Sequence, residues 1–169
     1  SLFHAAVGSP AQFNTYTYDP FSNLLRVTDA ANNATTMTYN IRGNKTGMTD
    51  PDMGVWVYRY DALGQLRWQQ NAKLQVVKMD YDNLGRMIKS VEPEGTTTWT
   101  YDTALYGKGK LTSVASPGGH LQTLTYDTLG RISNTATTIS GTIYNVSTQY
   151  EPNSSRVLQA TVTSRPPWA

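Results

Sequence analysis

The nine residues YDALGQLRW, Tyr60 to Trp68, come back as YDNLGRMIK from Tyr81 to Lys89, 21 positions further on. Neither copy holds a histidine, a cysteine or a pair of carboxylates, so what is repeated is a shape rather than a reaction. Working outward, a tyrosine followed by an acidic or amide residue recurs as Tyr18-Asp19, Tyr39-Asn40, Tyr60-Asp61, Tyr81-Asp82, Tyr101-Asp102, Tyr126-Asp127 and Tyr150-Glu151. The steps are 21, 21, 21, 20, 25 and 24 residues. A fixed period of this size is the mark of a repeat architecture.

The unit is Y-D-x-x-G-x-apolar. Gly43, Gly64, Gly85 and Gly130 close it, with Leu66, Met87 and Ile132 two places beyond the last three. In the fifth copy Gly109 arrives four residues late and the next step is four residues longer than 21, so one insertion within a turn explains both. Aspartate at the first place and glycine at the fourth are the preferences of a type I turn. The carboxylate accepts from amides just ahead, and glycine tolerates the positive φ that closes the loop. Stretches such as TTMTY, VWVYRY, TTTWTY and LQTLTY lead into the turns with alternating aromatic or apolar residues, the pattern of strands. A second turn signal falls midway, at Asp50 to Gly54, Glu92 to Gly95, Ser116 to Gly119 and, more weakly, Asp29 to Asn33.

Two strands of ~6 residues and two short turns fill one period and leave no room for helices. The expected fold is all-β: tandem hairpins of ~21 residues forming a continuous curved or spiralling sheet without significant helix. Residues 1–15 are read as a lead-in, 16–158 as an array of about seven repeats, and 159–169 as a tail or linker. The ladder tyrosines are expected to pair ring to ring across neighbouring strands, and each hairpin is expected to draw its stability from its neighbours.

Composition narrows the functions. There are 169 residues, no cysteine, and 14 basic against 12 acidic side chains for a net charge of +2, which gives no concentrated basic surface for nucleic acid. No apolar run approaches the ~20 residues of a membrane-spanning helix, and SLFHAAVGSPAQ lacks the basic start of a secretory signal. His4 and His120 have no partners at catalytic or zinc-binding spacing. The repeated aspartates offer one carboxylate per unit where calcium takes six to eight oxygens, so they are read as turn formers. GKGK at Gly107 to Lys110 lacks phosphate-loop spacing and is read as the inserted turn. Asn33, Asn44, Asn145 and Asn153 open glycosylation triplets of the sort that chance supplies in so Asn- and Thr-rich a chain. The faces of Trp56, Trp68 and Trp99 await the register. No catalytic residue, cofactor or metal is assigned.

The period, fullest at Tyr81-Asp82-Asn83-Leu84-Gly85-Arg86-Met87 and Tyr126-Asp127-Thr128-Leu129-Gly130-Arg131-Ile132, resembles the YD repeats of the RHS family. That family includes bacterial polymorphic toxins, the BC components of insecticidal toxin complexes, wall-associated proteins and animal teneurins. The resemblance spans roughly Tyr16 to Val157. It implies a non-catalytic segment of a shell or scaffold that encloses or presents a toxin or other cargo, secreted or on a bacterial cell surface. The implied partners are the remainder of a larger RHS-type protein and an enclosed toxin domain. The alternative is a module that binds carbohydrate or protein through its four Trp and eleven Tyr. The sequence lacks the D-P-x-G-L motif that ends RHS cores. Unpaired strand edges at the two ends of the array are expected to drive self-association.

Overall fold

A computed structural model describes residues 13–165. Its strands are β1 (Thr15–Tyr18), β2 (Leu24–Thr28), β3 (Ala34–Tyr39), β4 (Lys45–Asp50), β5 (Gly54–Tyr60), β6 (Leu66–Gln70), β7 (Val76–Tyr81), β8 (Met87–Glu92), β9 (Gly95–Tyr101), β10 (Leu111–Ser116), β11 (His120–Tyr126), β12 (Ile132–Ile139), β13 (Thr142–Tyr150) and β14 (Val157–Arg165). They form one open antiparallel sheet in chain order. Among the described residues the sole helical element is a 3-10 turn at Pro117–Gly119. Close contacts divide the chain into two units, Ser1–Val76 and Val77–Ala169, each described by itself.

The Tyr-Asp turns are built as their residues demand. In the hairpin at Asp61, the Gly64 amide donates to the Asp61 carbonyl at 3.1 Å and the Asp61 amide to the Gln65 carbonyl at 3.0 Å. Gly64 has φ +82°, the conformation that only glycine adopts without strain. Where glycine is missing, Ser22 takes the same place with φ 66° and bonds Asp19 at 3.1 Å. The fifth turn closes from the Asp102 amide to the Lys110 carbonyl, 3.0 Å, four residues further along than in its neighbours. The insertion is therefore confined to that turn.

Every Tyr-Asp hairpin also carries one extra residue on its second strand. Thr38 faces Gly47 while Tyr39 faces Lys45, leaving Thr46 unpaired, and the bulge recurs at Leu25, Arg67, Ile88, Thr112, Ser133 and Leu158. Sheet register then steps differently from sequence register. Thr17 lines up through Arg26 with Thr36, two residues short of its sequence equivalent Thr38. The same two-residue stagger takes Met79 to Thr97, Thr100 to Thr123 and Thr125 to Ser147, although the repeats differ in length. With strands ~4.8 Å apart and ~3.4 Å per residue, consecutive ladder tyrosines start about 12 Å from each other. That exceeds the ~7 Å limit of ring pairing.

The expected ring-on-ring ladder is accordingly replaced by another contact. Tyr39 Oη donates to the Leu24 carbonyl at 3.0 Å, Tyr101 to Met87 at 3.1 Å, Tyr126 to Leu111 at 2.5 Å and Tyr150 to Ile132 at 2.9 Å. Each hydroxyl reaches the first residue of the intervening strand, binding one hairpin to the one before it. A ring pair does form between Trp56 and Tyr58, 6.3 Å between centroids.

Alternation fixes the two faces. The residue two before each tyrosine, Met37, Tyr58, Met79, Trp99 or Leu124, shares the tyrosine's face, as does Trp56; the residue one before it, Thr38, Arg59, Asp80, Thr100 or Thr125, takes the other. Trp68 sits opposite Arg59 on that second face. A single layer can cover its apolar side only sideways. Of the described apolar residues just Met79 (7% exposed) and Leu124 (9%) count as buried. The sheet also runs past residue 158: β14 continues through Arg165 into the segment read as a tail. His120 opens β11 opposite Ser116 and is half-buried. His4 lies outside the described residues.

Candidate functional site

The predicted residues assemble into a clamp repeated along the Tyr-Asp edge of the sheet. The acidic or amide residue builds the turn: Asp61 Oδ1 accepts from the amides of Leu63 at 2.9 Å and Gln65 at 3.0 Å. Asp19, Asp82 and Asp127 hold their turns in the same way, and Asn40 accepts from Arg42 and Asn44 at 2.9 and 3.0 Å without a charge. In the lengthened turn Asp102 Oδ1 accepts from Gly109 at 2.5 Å.

The carboxylate's second oxygen meets the side chain four residues on. That partner is Asn23 at Asp19 (2.8 Å), Arg86 at Asp82 (2.7 Å) and Arg131 at Asp127 (2.7 Å), while in the last turn, one residue longer, Arg156 meets Glu151 from five residues on (3.2 Å). Arg86 and Arg131 then cross to the next repeat. Arg86 Nη2 meets Asp102 Oδ2 at 2.7 Å while its guanidinium lies 4.3 Å from the centre of the Tyr101 ring. Arg131 covers Tyr150 at 4.5 Å and donates to the carbonyls of Glu151 and Ser154. Lys110 takes the same post over Tyr126 at 5.6 Å. A planar guanidinium suits this three-way role because it can stack and fork at once.

Protonation follows from these contacts. The Asp102 carboxyl is held below the usual range chiefly by Arg86, Asp19 chiefly by Asn23, Asp29 by Asn33 and Asp50 by Thr35. At Asp82 the leading cause is the Arg86 amide. At Asp127 burial pulls upward, but bonds from the Arg131 amide and side chain outweigh it. Arg86 is pushed up, first by Asp102 and then by Asp82. Tyr60 and Tyr126 are raised by burial. A depressed folded pKa contributes stability that is complete above the unfolded value and is lost as pH falls through the folded one. Thermal stability is therefore expected to vary little with carboxylate titration above about pH 5 and to decline below about pH 4. Amide exchange should show the Asp82 and Asp102 turns loosening in acid before the Asn40 turn, which has nothing to protonate; equal loosening would refute this origin.

Sequence reasoning missed three features of the turns and strands. Asn71 builds a midway turn, accepting from Lys73 and Gln75 at 3.0 Å each; its signal was a second ladder of Asp29, Asp50, Asn71 and Glu92 at steps of 21. Lys110 was read as loop, although it occupies the arginine's place once the insertion is counted. The bulges have no signal of their own, because Leu25, Thr46 and Arg67 share no chemistry.

Two open hollows indent the described surface. One of about 710 Å³ lies between the first two Tyr-Asp turns, lined by Asp19, Phe21, Leu25, Met37, Tyr39 and Ile41. The other, about 420 Å³, includes Met53, Trp56, Ala72 and Lys73. The Asp19 carboxylate is already bonded by Phe21, Asn23 and the Asn23 side chain. Among the described residues no three histidine or carboxylate side chains gather to hold a metal ion, and no helix is long and apolar enough to cross a membrane. What the paired groups do here is join hairpins.

A family model described as Teneurin YD-shell matches residues 10–169. No curated protein matches the chain. Among solved structures, "Crystal Structure of TcdB2-TccC3" is similar with a TM-score of 0.69 and 18% identity, over 89% of this chain and 9% of that one. A Photorhabdus luminescens Tc holotoxin pore aligns over 92% of this chain and 12% of its own at 15% identity, with a TM-score of 0.45. The first likeness is one of fold. The chain thus spans about a tenth of the length of these structural neighbours.

Proposed function

The chain belongs to the Teneurin YD-shell family, and from that premise we propose that it is a non-catalytic structural segment of a larger shell or scaffold that encloses or presents a toxin or other cargo domain, secreted or at a cell surface. The observation that carries this reading is the clamp. Arg86, Asp102 and the hydroxyls of Tyr101 and Tyr126, groups of the kind that act on substrates elsewhere, are engaged here in joining one hairpin to the next. Its partners in this reading are the remaining repeats of the longer protein and the cargo they surround. Limited proteolysis of the full-length protein tests it. The cargo segment should resist cleavage while the array is intact and become sensitive when Arg86 and Arg131 are both replaced by alanine. Cargo cut equally fast in both proteins would overturn the proposal.

A second reading, carbohydrate binding, draws on the exposed rings of Phe13, Tyr16, Tyr18 and Phe21 at the first edge of the sheet. Saturable glycan binding that disappears with Tyr16→Ala and Tyr18→Ala would favour it; an empty glycan array would remove it.

A further inference from the structure

At the first Tyr-Asp turn the clamp is built without a cation. Arg86, Lys110 and Arg131 lie over Tyr101, Tyr126 and Tyr150, each sent from the turn before. The same place before Tyr39 belongs to Asn23, whose Nδ2 donates to Asp19 Oδ2 at 2.8 Å and which has neither the charge nor the length to cover the next ring. Asn44, before Tyr60, is equally short, but there Arg42 crosses to the Ala62 carbonyl of the third turn. The hollow of about 710 Å³ lies where an arginine from position 23 would run, since Asp19, Asn23, Tyr39, Asn40 and Gly43 all line it. Every one of these residues belongs to the first unit.

The walls repeat what an arginine meets elsewhere in the chain. Arg131 covers Tyr150, pairs with Asp127 and donates to the carbonyls of Glu151 and Ser154. The residues at the corresponding places around the hollow are Tyr39, Asp19, Asn40 and Gly43. Asp19 takes two amides on Oδ1 and Asn23 on Oδ2, which leaves room for one more donor among the roughly four lone-pair sites of a carboxylate. Asn40 is neutral and the Arg42 guanidinium is engaged at Ala62, so the Asp19 carboxylate is the charge left to meet a ligand. Phe21, Leu25, Met37 and Ile41 make the rest of the hollow apolar, and its volume far exceeds that of a guanidinium group.

We propose that this hollow binds an arginine of a partner protein's peptide segment, with the guanidinium stacked on Tyr39 and paired with Asp19 and the arginine's apolar neighbours laid against Phe21 and Ile41. Arginine is favoured over lysine because a planar guanidinium stacks on a ring and forks to a carboxylate at once. Further repeats of the array do not supply this group. The cations over Tyr101, Tyr126 and Tyr150 each come from the turn before, and for Tyr39 that turn is the chain's own, ending at Asn23. Charge and shape are thus set for a side chain that the protein provides for itself at three later turns and takes from outside at this one.

The test is titration of the whole chain with the acetylated, amidated tripeptide Leu-Arg-Leu, followed by backbone amide chemical shifts, beside the same peptide with citrulline, the uncharged isostere, in place of arginine. The arginine peptide should bind saturably with its shifts concentrated in residues 19–43, and the citrulline peptide should bind at least about fivefold more weakly, the loss of one exposed cation–π contact. Free arginine, which leaves the apolar wall uncovered, should bind about tenfold more weakly than the peptide. Asn23→Arg gives the chain its own guanidinium at this turn and should abolish binding. Asp19→Asn keeps the turn, as Asn40 shows, and should weaken binding about fivefold with circular dichroism unchanged. No saturable binding, equal affinity for the arginine and citrulline peptides, free arginine as tight as the peptide, shifts that fall outside residues 19–43, or binding untouched by either variant would each overturn the proposal.

Discussion

Replacing Tyr126 with alanine is expected to cost about 3 kcal/mol, the range of large-to-small changes at packed aromatic sites, and to loosen one neighbourhood rather than the whole chain. Three contacts converge on this residue. Its hydroxyl holds the Leu111 carbonyl, Lys110 lies over its ring, and Gly107 is packed so close that an added Cβ would come within 2.9 Å of the ring edge. The ring therefore seats the four-residue insertion as well as joining two hairpins. Tyr126→Phe keeps the ring and should lose about 1 kcal/mol, near 2–4 °C in Tm for a chain of this size. Hydrogen exchange should accelerate in residues 101–112 and 120–133 while β13 and β14 keep their protection, as a chain stabilised by nearest neighbours requires. A uniform loss of protection along the second unit would contradict that account.

Gly54→Ala is expected to be nearly as damaging, by about 2–4 kcal/mol, for two separable reasons. Gly54 has φ +70°, and a Cβ there would lie 2.5 Å from the Ala72 Cβ on the neighbouring midway turn. Ala72→Gly removes the collision but not the backbone strain. The double variant should recover roughly half of the loss, and the difference measures how tightly the two turns abut. If Ala72→Gly gives no recovery in denaturant unfolding, the two turns do not touch in solution.

Most of the fold was legible because one signal was written seven times. The Tyr-Asp step gave the hairpins, the glycines gave the turn type, and the late Gly109 gave the insertion; the hydrogen bonds of Gly64 and Lys110 match each point. What failed was any inference that needed sheet register. Ring stacking looked natural when equivalent tyrosines were placed side by side on paper, but a two-residue stagger puts the hydroxyls of Tyr39, Tyr101, Tyr126 and Tyr150 over carbonyls instead. Bulges at chemically unlike residues such as Leu25 and Arg67 leave no mark in a sequence. The cation over Tyr101, Tyr126 and Tyr150 was likewise hidden until the insertion was counted, since Lys110 and Arg131 look unrelated before then. At the ends, β14 looked like a tail because its tyrosine partner had already passed and only prolines followed.

The constancy of that stagger has an evolutionary consequence. Periods of 20, 21, 24 and 25 residues all arrive at the same offset, so within each unit a hairpin meets its predecessor on identical terms, whatever length its loop has acquired. Crossing-over between any two copies would rejoin a gene at matching points and yield a longer or shorter protein without a seam that has to be repaired. Growth by duplication is then nearly free of structural penalty, and the length of such arrays can drift while the local joinery stays as it was.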